Sequence, residues 1–157
     1  MRYQRILSAG ILSAAVIGLA AASAPAWAET DEKGFVRTRP EQIDLTKGLA
    51  VVHGDPSKPG LYVVRVKFEP HNFSMPHWHS TDRHIVVLKG TWYMGVGEKF
   101  DPSTATPMPA GSYVKHPAGA PHWDGAMDEE VVLQVIGEGP VTTDLVNKDK
   151  PMFVQVK

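Results

Sequence analysis

The stretch Met75–Gly90, MPHWHSTDRHIVVLKG, decides how the rest of this chain is read. His77 and His79 alternate, so along a strand both imidazoles leave the backbone on one face. Further along, Gly111–His122, GSYVKHPAGAPH, ends in a third histidine, His122. Two neutral imidazoles on one face, joined by a third from another strand, suit a divalent transition metal. Trp78 and Trp123 each follow one of these histidines and are expected to point away from the metal, into packing. Asp124, beside His122, reads either as an acceptor for an imidazole N–H or as a surface turn residue.

Working outward, the neighbouring segments read as strands. Leu61–Phe68 sets Tyr62, Val64, Val66 and Phe68 on one face against Arg65 and Lys67 on the other, the pattern of a half-buried strand. Leu49–His53 is a short strand closed by the turn GDPSKPG at residues 54–60. His84–Lys89 and Thr91–Val96 flank Gly90. Lys99–Ala110, rich in Pro, Ser and Thr, reads as a loop, with a strand following at Ser112–His116. Glu129–Ile136, Pro140–Val146 and Met152–Val156 complete the set. Eight or more short strands with no amphipathic helix among them predict a single all-β barrel or sandwich over residues 47–157, preceded by a polar arm at 29–46.

The first 28 residues read differently. Arg2 and Arg5 open a basic start, Ile6–Ala22 is apolar or small, and Ala26-Trp27-Ala28 is a cleavage signal, the pattern of a secretory signal peptide at 1–28. A periplasmic or secreted protein is expected, with no membrane attachment after cleavage. Setting Arg2 and Arg5 aside from the 16 basic residues leaves an acidic balance against 17 carboxylates, which points away from nucleic acid as a partner. The chain has no cysteine, so no disulfide supports it. Exposed edge strands need covering, and the arm or the last strand is expected to do this in a homodimer.

The two histidine stretches resemble the motifs of the cupin family. Gly111, Pro117, Gly119 and His122 match the second motif, G-x5-P-x-G-x2-H-x3-N, with Ala126 in place of the final Asn. His77, His79 and Gly90 match the first, G-x5-H-x-H-x3,4-E-x6-G, with Glu69 read at the leading Gly. The resemblance spans roughly residues 60 to 140 and implies a cupin-like jelly-roll β-barrel with a mononuclear metal, Fe, Mn, Ni, Cu or Zn, at His77, His79 and His122. The family's ligand Glu is replaced. Spacing from Gly90 puts Arg83 there, which stays protonated and cannot ligate; the longer spacing from His79 puts His84 there as a fourth ligand. Alternation lets only one face inward, and the Gly90 register favours Arg83, as a substrate-binding anion clamp. His53, His71 and His116 lie at strand ends or turns and are expected to be solvated or capping groups.

No phosphate loop, nucleophile elbow or Cys–His pair is present, which sets aside triad hydrolases and nucleotide enzymes. Two functions stay open. One is an enzyme of dioxygenase, isomerase or lyase type acting on a small oxygenated or anionic molecule. The other is a non-catalytic module that binds a small molecule or metal.

Overall fold

The computed structural model describes residues 29–157, so the signal-peptide reading of 1–28 lies outside the described residues. β1 (Glu29–Thr30) and β2 (Val36–Arg37) form a small antiparallel pair, followed by a 3-10 turn at Pro40–Gln42. The remaining strands are β3 (Leu49–His53), β4 (Gly60–Phe68), β5 (Asn72–Ser74), β6 (His77–His79), β7 (Arg83–Lys89) and β8 (Thr91–Val96). After them come β9 (Thr106–Pro109), β10 (Tyr113–His116), β11 (His122–Ala126), β12 (Val131–Gly139), β13 (Thr143–Leu145) and β14 (Phe153–Gln155).

Two antiparallel sheets face each other as a jelly-roll barrel. The first runs β10-β7-β12-β4-β3. In the second, β11 pairs with β8 along its whole length on one side, and β8 continues to β9. On its other side β11 meets β5 and then β6, two pieces of one interrupted strand, which in turn carry β14 and β13. The alternating strands bury one face each. Tyr62, Val64 and Phe68 of β4, Ile85 and Val87 of β7, and Leu133 and Val135 of β12 join Trp92 and Ala126 from the opposite sheet in the core.

β11 is buried at every position, because both of its faces are covered. Outside the barrel, Trp123 packs against Phe100 and Phe73, with ring centroids 5.3 and 6.3 Å apart. This bears out the outward aim expected of Trp123. It works because Gly95, across the strand pair, leaves the indole its space; a Cβ there would overlap the ring.

Two sequence expectations need correcting. The Lys99–Ala110 loop contains β9, whose two prolines are tolerated because it lies at a sheet edge and pairs only with β8. The leading position of the first motif is His71 and not Glu69, since the five-residue spacing counted back from His77 lands there. His71 is the one non-glycine with positive φ, 63°, among the described residues, and it holds the left-handed conformation a glycine would adopt easily.

Candidate metal centre

β11 and β6 meet at one cross-strand pair, His122 with His77. Paired residues share a face, and the strand period adds His79 from β6 and Asp124 from β11 to it. From the facing sheet, β10 and β7 contribute a second pair, His116 opposite Arg83. The result is four imidazoles, one carboxylate and one guanidinium gathered beside an apolar core. Each histidine of the four, and Asp124, keeps 5% of its surface or less.

The turns on either side are tied together. Gly119 N–H donates to the His79 carbonyl at 2.8 Å, and the Asp82 carboxylate accepts the Ala118 N–H at 2.8 Å while pairing with Lys115. These bonds hold the Pro117-Ala118-Gly119 turn against β6, and so set where His122 enters the site.

Three of the imidazoles are already oriented. His77 Nδ1 lies 2.8 Å from the Met75 carbonyl and His122 Nδ1 2.9 Å from the Ala120 carbonyl. A carbonyl only accepts, so both Nδ1 atoms carry a proton, which leaves Nε2 as the nitrogen each ring can offer to a metal. His79 Nδ1 is 2.9 Å from the Thr143 hydroxyl. The Nε2 atoms of His79 and His122 are buried without a partner. One nitrogen from each of His77, His79 and His122 lies within 4.8 Å of the other two. An unpartnered buried nitrogen costs about 1–3 kcal/mol, and a metal bond would remove that cost. The residues present therefore fit a divalent ion.

Electrostatics agree. Burial, helped by the Arg83 charge, pushes His79 down to about 2; burial likewise takes His116 to about 3 and His122 to about 4. These three imidazoles are neutral near pH 7, the form in which histidine ligates. Burial would raise Asp124, but the neighbouring histidines and the Ser74 hydroxyl outweigh it and hold the carboxyl below its ordinary range. Ser74 donates to the Asp124 carboxylate, and the Asp124 N–H donates back to Ser74 Oγ at 3.0 Å.

Arg83 turns inward and lines a cavity of about 240 Å³. Its Nε is enclosed and unpartnered, and no hydrogen bond or ion pair holds its guanidinium among the described residues. The rest of the lining is largely apolar and includes Val66, Phe68, Leu133 and Phe153. His84 sits on the outer face, its Nδ1 2.6 Å from the Tyr113 hydroxyl. It is therefore not among the converging histidines, and the fourth-ligand alternative fails on strand register.

One member of the cluster escaped the sequence reading, and another was left open. His116 was expected to be solvated or capping, and Asp124 stood between an acceptor for an imidazole N–H and a surface turn residue; both are buried beside His122. Alternation carried the signal: His116 shares a face with Val114 on β10, and Asp124 with His122 on β11.

A two-sheet jelly roll with inward histidines on adjacent strands, placed where they could hold a metal ion, is a barrel of cupin type. The model of the ChrR cupin-like domain matches residues 43–142, and the chain belongs to this cupin family. No curated protein matches it. Among solved structures, a cupin-like protein from Thermotoga maritima is 24% identical, with a TM-score of 0.51 over 64% of this chain and 78% of that one. The polyketide cyclase RemF from Streptomyces resistomycificus is 16% identical, with a TM-score of 0.57 over 72% of this chain and 87% of the cyclase. The DMSP lyase DddQ from Ruegeria pomeroyi is 18% identical at a TM-score of 0.51, over 60% of this chain but 47% of the lyase. At these identities the likeness is one of fold.

Proposed function

We propose that this chain is an exported cupin enzyme that binds one divalent metal through His77, His79 and His122 and acts on a small oxygenated anion. The carrying observation is the set of converging histidine nitrogens, with each Nδ1 already hydrogen-bonded, beside a cavity that also holds an unpaired arginine. Bound there, the ion would act as a Lewis acid toward a carbonyl or enolate oxygen. Arg83 would hold a carboxylate or stabilise developing negative charge with charge-assisted hydrogen bonds. The apolar wall would seat the rest of the molecule and exclude water. Oxygenation, isomerisation and lyase chemistry all suit this arrangement, and Fe, Mn, Ni, Cu and Zn all suit imidazole ligands. That a lyase and a cyclase share the fold supports a catalytic reading without choosing the reaction.

The test is metal analysis of protein recovered from the periplasmic fraction, followed by a turnover screen with small carboxylates and enolisable ketones, including oxygen uptake. Stoichiometric metal with metal-dependent turnover is expected. Metal and ligand binding without turnover would make it a binding module, and metal-free protein that accepts no ion would refute the site.

A further inference from the structure

His116 has both ring nitrogens buried and neither has a partner. A core histidine ordinarily finds an acceptor for its N–H, because an unpaired buried donor is costly. Here the ring packs at 3.8 Å between centroids against His122 and at 5.6 Å against Trp92, contacts that satisfy neither nitrogen. Beside it lies the Asp124 carboxylate, buried and steadied by Ser74. One ligand atom from each of His116, His122 and Asp124 lies within 4.8 Å of the other two.

We propose that His116, His122 and Asp124 form a second metal position that overlaps the three-histidine one. It rests on the metal-binding reading above, because both positions use His122. His122 Nδ1 is tied to the Ala120 carbonyl, which leaves Nε2 as the nitrogen it can offer. One lone pair holds one ion, so the two positions are alternatives within a single-ion site and not a dinuclear centre. They differ in chemistry. His77, His79 and His122 offer three neutral nitrogens, whereas the second set offers two nitrogens and one anionic oxygen. Two histidines and a carboxylate with open positions are a donor set that non-haem Fe(II) uses, and carboxylate suits harder ions such as Mn(II). The cavity thus holds a nitrogen-only position and a carboxylate-bearing one side by side.

The test is a Co(II) titration of the whole chain, followed by calorimetry and visible absorption, in the wild type, His79→Gln, His116→Gln, the double variant and His122→Ala. Circular dichroism checks each fold, and His77→Gln replaces His79→Gln if that variant unfolds, since it breaks the same set. Expected results are one equivalent in the wild type and in each single Gln variant, with the visible spectrum of His79→Gln altered by its carboxylate ligand. The double variant and His122→Ala should bind none. Loss of binding in folded His79→Gln, with His116→Gln unchanged from wild type, would overturn the second position and leave the three-histidine reading intact. Loss in His116→Gln with His79→Gln unchanged would instead overturn the three-histidine reading. A wild type that binds no Co(II) would overturn both.

Discussion

Arg83 and His116 are cross-strand partners on β7 and β10, and both point into the cavity, while the next pair along, His84 and Lys115, points out. One step of register therefore separates a partly buried cation beside the histidines from an exposed imidazole bonded to Tyr113. Arg83→Ala should leave metal bound at unchanged stoichiometry and weaken binding of a small carboxylate by about 1.5–3 kcal/mol, the scale of a charge-assisted hydrogen bond. His84→Ala should change neither. Calorimetry of both variants with metal and then with carboxylate checks this; metal loss in His84→Ala would contradict the register.

The metal-free protein should lose stability as pH falls. His79, His116 and His122 titrate near 6.5 when unfolded and at about 2, 3 and 4 when folded, so below 6.5 the unfolded chain binds more protons. Each group then removes about 1.4 kcal/mol per pH unit, down to its own folded value. Urea midpoints of the metal-free protein should drop steeply between pH 7 and pH 5. A flat profile would show that the imidazoles are not buried as described.

Thr143 bonds His79 Nδ1 from β13 without reaching the converging nitrogens. Thr143→Val should keep the fold and weaken metal binding by about 10–100-fold, the usual cost of losing a group that orients a ligand. An unchanged affinity in competition with a chelator would mean that His79 needs no such support.

The outer cluster gives a prediction about stability alone. Gly95→Ala would drive a methyl group into the Trp123 ring, which Phe73 and Phe100 hold in place. The loss should be about 1–3 kcal/mol in urea unfolding, with metal stoichiometry intact.

The arm and the leader make the last prediction. The protein should be exported with a mass beginning at Glu29, and it should be dimeric, with the 29–46 arm or the last strand contributing to the contact. Intact mass and light scattering test the two parts separately, and a monomer unchanged by deletion of the arm would remove the second.

Much of this was legible in the sequence because it followed from a period of two. His77 and His79, and the alternating apolar residues of Leu61–Phe68, declared their faces directly. β9 was hidden because prolines mark loops more strongly than edge strands, and its pairing with β8 is a long-range fact. His116 was hidden for a different reason. A histidine before a proline turn looks solvated until the facing strand, with Arg83 on it, is known to be buried. Asp124 likewise became a member of the cluster only once both faces of β11 proved to be covered.

The cavity's own charges bear on the order of events. Asp124 and Arg83 are the two formal charges among its lining residues, of opposite sign, and they offset each other. A divalent ion leaves it two positive charges in excess within a largely apolar enclosure, where uncompensated charge is costly. An anion restores part of the balance. Ion and anion should therefore bind cooperatively, each raising the other's affinity by the same factor. A cavity that discriminates weakly among anions when metal-free would become selective for them on loading, and a chelator would release both.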